Sequence, residues 1–143
     1  MTRKYADICT EAWLLRGISC LPGLLKLDNQ ILSYTALDYG NLWNFQLRKL
    51  ELTNNINNIK QELDEKHKII LFELPMSEVK QAHIPWHYFS GGIKITTNKN
   101  HFRFSFARPA NTYFPMERLN ASNDILESRQ SGKAWKKVLD NSQ

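Results

Sequence analysis

His83, Pro85 and His87 would point the same way on an extended strand, which brings two imidazoles within reach of one metal ion. A metal centre needs a third ligand, and only His101 is on offer, from a separate segment. Surface or half-buried histidines are the better reading, and no metal or other cofactor is expected. Gly132-Lys133 is followed by Ala134 where a phosphate-binding loop needs Ser or Thr, and it falls inside a helical pattern. Cys9 and Cys20 are the only cysteines, too few for a zinc site or a disulfide framework, and they read as free thiols in a reducing compartment. No histidine partner for Cys20 is identifiable, and no serine or carboxylate pair stands in a catalytic motif. The chain is expected not to be an enzyme.

Charge carries more information. From Val79 through Met116 there is no Asp or Glu, but Lys80, Lys94, Lys99, Arg103 and Arg108 all fall there. The chain has 19 Lys+Arg against 14 Asp+Glu, a formal net charge of +5, so this one stretch holds the whole excess. These five cations are the candidate anion- or lipid-binding residues, and they suit a membrane surface or nucleic acid. No RNP-like, KH or helix-turn-helix pattern is present, so nucleic acid ranks below lipid and protein. Next to them runs Trp86-His87-Tyr88-Phe89. Rings of this size most often pack against a core. The functional alternative is an apolar lip of Trp86, Tyr88 and Phe89, fit to dip into a bilayer interface or to grip a peptide. Gly91-Gly92 reads as a bend or bulge where a strand begins.

Strands must hold these side chains. Ile93, Ile95 and Thr97 alternate with Lys94, Thr96 and Asn98, and Phe102, Phe104 and Phe106 alternate with Arg103 and Ser105, the period-two pattern of a half-buried hairpin. Matching the apolar faces places Ile95 opposite Phe104 and Thr96 opposite Arg103, with a Lys99-Asn100 loop and Lys94 diagonal to Arg103. Further strands are expected over 68–74 and 78–84. Earlier ones fall over 12–19, 23–27 and 30–36, with turns at Pro22-Gly23 and Asp28-Asn29.

Residues 41–66 change period. Leu42, Phe45, Leu52, Ile56, Ile59 and Leu63 mark one helical face, and Trp43, Leu47 and Leu50 a second partial stripe. One helix capped by Asn41, or two broken near Thr53, is expected as an insertion, and the run Asn54, Asn55, Asn57, Asn58 should make it the least ordered or most protruding part of the chain. Residues 123–141 read as a closing helix with a capping-box start at Asp124 and Glu127 and with Trp135 as an anchor. Residues 1–10 read as an extension with no signal peptide, and no run of apolar residues is long enough for a membrane span. A single domain over residues 1–143 is expected, cytoplasmic, with peripheral membrane attachment left open.

The segments LPGLLKLDNQILSYTA, LFELPMSEVKQAHIPWHYFSGGIKITTNKNHFRFSFARP and GKAWKKVL together resemble the GRAM-type, pleckstrin-homology-like family. The likeness leaves out the amino-terminal tip, region 41–66 and the connection 109–122. It implies an α+β, mainly β fold. This is a seven-stranded, partly open barrel of two antiparallel sheets, with a C-terminal capping helix and a helical insertion between strands 3 and 4. It also implies a binding module for phospholipids, proteins or both. Phosphoinositide-binding members place basic residues around the loop joining the first two strands. Here that loop is read as SCLPG, which has none, with Arg16 and Lys26 flanking it. The expected function is therefore a membrane-surface adaptor drawn to anionic phospholipid by a basic sheet face. The alternative is a protein-interaction domain that takes a peptide or partner helix in a groove or at a strand edge.

Overall fold

The structure is a computed structural model, and it describes residues 4–16, 19–38, 40, 42–54, 56–85, 91–107 and 124–140. Among these, seven strands form one antiparallel ladder: β1 (Ile8–Arg16), β2 (Ser19–Asp28), β3 (Ile31–Ala36), β4 (Ile69–Pro75), β5 (Val79–His83), β6 (Gly92–Thr97) and β7 (His101–Ser105). Their spatial order is β4-β3-β2-β1-β7-β6-β5. The chain thus meanders until its last strand meets its first, and the sheet stays open between β4 and β5. Those two edge strands are consecutive in sequence and are joined by a short 3₁₀ turn, Met76–Glu78. The β1–β7 junction is narrow, pairing Trp13 with Ser105 and Leu14 with Phe104. The two sheets expected from the sequence are therefore two halves of one ladder, β1–β4 and β5–β7, that meet at this junction.

Alternation puts one face of nearly every strand into a common core. Leu14, Leu21, Leu25, Leu27, Ile93 and Phe104 are fully buried. Phe72 stacks on Phe102 with centroids 4.6 Å apart, and Tyr34 meets Phe104 at 4.7 Å, so rings from β3, β4 and β7 fill the space between the two halves. Thr35 pairs with Ile70 and Tyr34 with Phe72, so Leu71 is an extra residue on β4, a bulge that lets Leu71 and Phe72 both turn inward while Ile70 is left exposed.

The first hairpin differs from expectation. Pro22-Gly23 is not a turn: both residues lie inside β2, opposite Trp13 and Ala12, and the β1–β2 register closes at Arg16 and Ser19. Pro22 is tolerated because the β2–β3 ladder starts only at Gly23, so its missing N–H falls outside those pairs. Gly23 is required for a different reason. A Cβ there would run into the Thr35 carbonyl oxygen and the Tyr34 ring. The second turn falls at Asn29-Gln30, both at positive φ (51° and 67°), between the paired Asp28 and Ile31. The amino-terminal segment is also less of an extension than expected. β1 starts at Ile8, and Tyr5 exchanges two hydrogen bonds with the Gln30 side chain at 2.9 and 2.7 Å.

The insertion between β3 and β4 is two helices, α1 (Asn44–Asn54) and α2 (Ile59–Lys66). Trp43 occupies the cap position of α1, its N–H donating to Gln46 Oε1 at 2.8 Å, while Asn41 lies outside the described residues. Leu42, Ile59 and Leu63 of the expected main face are buried as expected; within α1 the core is reached by Leu47 and Leu50 of the expected second stripe, whose third member, Trp43, is exposed. Phe45 and Leu52, expected inside, are exposed. The insertion is therefore packed down and does not protrude. The last helix, α3 (Asp124–Asp140), lies against β1, β5 and β6. Trp135 is buried there as expected and donates from Nε1 to Thr10 Oγ1 at 2.8 Å.

Candidate anion-binding face

The β6–β7 hairpin sets the geometry. Its register pairs Ile93 with Phe104, Lys94 with Arg103, Ile95 with Phe102 and Thr96 with His101. The even loop expected from the sequence is present but sits one residue earlier, at Asn98-Lys99, which shifts the pairing by two residues. The Thr97 hydroxyl explains the shift. It accepts the N–H groups of Lys99 (3.3 Å) and Asn100 (3.1 Å), while Thr97 N–H donates to the Asn100 carbonyl at 2.9 Å. A hydroxyl that organises its own turn fixes loop length more firmly than facing apolar side chains do.

The shift changes the chemistry of the outer face. Lys94 and Arg103 are not diagonal: they lie directly opposite each other, with Lys94 half-buried and Arg103 exposed. On the other side of Lys94, β5 places His83 in register with it. One row across three strands thus reads His83–Lys94–Arg103, and the next reads Gln81–Thr96–His101. His101 Nδ1 and Thr96 Oγ1 lie 3.2 Å apart, holding that second row together. No carboxylate occupies either row.

Lys99 is exposed at the hairpin tip, and Lys80 is exposed at the irregularity of β5 between Val79 and Gln81, next to the same tip. The strand ends at Thr97, three residues and roughly 10 Å beyond Lys94, and the tip follows it. The structure therefore brings Lys94 and Arg103 together and sets Lys80 and Lys99 as a second group at the tip. Arg108 and the expected apolar lip of Trp86, Tyr88 and Phe89 lie outside the described residues. Lys26 does not flank the first loop. It lies near the far end of β2, opposite Cys9 and Ser33, while Arg16 ends β1 at the first hairpin.

Neither thiol is activated. Burial pushes the Cys9 thiol up despite Lys26 next to it, and burial alone raises Cys20. Among the described residues no three His, Cys, Asp or Glu side chains gather as a metal site, and no helix is long and apolar enough to cross a membrane. Sequence reasoning found the cations of the face but missed the exposed aromatic pair Trp43 and Phe45. Compared with protein-family models, curated proteins and solved structures, the chain matches none.

Proposed function

We propose that the chain is a pleckstrin-homology-like, GRAM-type binding module that attaches to anionic membrane surfaces through the outer face of the β6–β7 hairpin. The seven-strand meander, the opening between β4 and β5, the insertion after β3 and a last helix anchored by Trp135 all support the family reading. The observation that carries the functional reading is Lys94 directly opposite Arg103. Like charges in register oppose sheet pairing. A phosphate-bearing surface gains from both at once, at about 1 kcal/mol per cation near anionic lipid. Lys80 and Lys99 extend the same charge to the hairpin tip. The site of action is the cytoplasmic face of a membrane.

The test is co-sedimentation with phosphatidylcholine vesicles with and without phosphatidylserine, at low and high salt. Binding that needs the anionic lipid and falls with salt is expected. Salt-indifferent binding, or none, overturns the reading. A second reading, a peptide adding a strand at the β4 edge, is favoured by Ile70, which is 51% exposed there.

A further inference from the structure

Helix α1 is seated in the core by Leu47 and Leu50, yet its opposite face is also apolar. Phe45 and Leu52 are 66% and 79% exposed, and Trp43 at the cap is 68% exposed. Leu52 follows Phe45 by seven residues, so the two side chains emerge within about 20° of each other around the helix. Arg48 and Lys49, both exposed, fall between them on the same side. Trp43 and Phe45 meet edge to face at 5.9 Å, and the Gln46 side chain holds the Trp43 backbone in place. The only acid of the helix, Glu51, accepts the Asn58 N–H at 3.2 Å.

We infer that the Trp43–Phe45–Leu52 stripe of α1 inserts into the interfacial layer of an anionic bilayer, with Arg48 and Lys49 meeting the headgroups. An aromatic and aliphatic stripe flanked by cations is the composition that lies in such an interface. A second copy of the chain fits less well. Two-fold contact would set Arg48 and Lys49 of each copy against their equivalents, and three side chains fall short of the roughly 800 Å² per partner that a standard protein interface takes. Since Leu47 and Leu50 already hold the helix, insertion requires no ordering step. This inference rests on the anionic-membrane reading and adds an apolar contact to it.

The test uses phosphatidylserine-containing vesicles with brominated acyl chains, which quench tryptophan only at bilayer depth. Wild type should be quenched, and Trp43→Phe should remove that component. Phe45→Ser with Leu52→Ser should leave circular dichroism unchanged and weaken co-sedimentation by about tenfold or more, as expected from lost apolar burial. Wild-type binding with no quenching lost in Trp43→Phe, and with full binding of the double variant, overturns the inference and leaves the sheet reading standing. No effect of the Lys94 and Arg103 reversal, while the double variant still loses binding, overturns the sheet reading alone. No vesicle binding by wild type overturns both. A concentration-dependent dimer abolished by Phe45→Ser with Leu52→Ser also overturns the inference, in favour of self-association.

Discussion

Trp135 Nε1 donates to Thr10 Oγ1 at 2.8 Å, tying α3 to β1 across 125 residues of chain. The indole is 1% exposed within the main core. Trp135→Ala should therefore lower stability by about 3–5 kcal/mol in denaturant titration, the range for emptying a large core site. Thr10→Val keeps the packing and loses only the hydrogen bond, so about 1 kcal/mol is expected. Wild-type stability in Trp135→Ala would mean that α3 does not close the core.

Tyr34 gives a pH signature. Its hydroxyl oxygen lies 2.9 Å from the Leu21 carbonyl and 3.0 Å from that of Ala12, and burial raises its pKa well above the ordinary 10. Below pH 10 the phenol is protonated in both the folded and unfolded chain, so its contribution is complete. Above that pH the unfolded chain loses the proton and the folded chain keeps it. Stability then falls by up to about 1.4 kcal/mol per pH unit until the folded-state pKa is reached. Tyr34→Phe should cost about 1 kcal/mol at neutral pH and flatten this alkaline decline. An unchanged alkaline slope in the variant would contradict the assignment.

Gly23 separates two readings of Pro22-Gly23. In an open turn a methyl group would be tolerated. In β2 it meets the Thr35 carbonyl and the Tyr34 ring. Gly23→Ala should cost about 1–3 kcal/mol by overpacking, measured as a fall in denaturation midpoint. A neutral result would restore the turn.

The later strands were legible because their apolar side chains alternate, and β4 to β7 fall within a residue or two of where that alternation puts them, whereas β1 and β2, expected over 12–19 and 23–27, run from Ile8 to Arg16 and from Ser19 to Asp28. Three features were not legible, for separate reasons. Pro and Gly mark both turns and close approaches, so Pro22-Gly23 pointed to the wrong one. Helix α1 is apolar on two sides, and which side is buried depends on Leu42, Ile59 and Leu63 arriving from elsewhere in the chain. Hairpin parity was recoverable from the Phe and Ile faces, but register was decided by the Thr97 hydroxyl, a local hydrogen-bonding choice that periodicity does not encode. That register is what sets Lys94 against Arg103, so the candidate residues were legible and their juxtaposition was not.

Lys94→Glu with Arg103→Glu reverses both cations on the outer face while Ile93, Ile95, Phe102 and Phe104 stay buried behind them. The measurement is co-sedimentation of wild type and this double variant with phosphatidylserine vesicles at 0.1 M and 1 M salt, where the Debye length is about 10 Å and about 3 Å. Wild type should bind at the lower salt and release at the higher, and the double variant should fold normally and fail to bind at either. A folded double variant that binds like wild type would contradict the account.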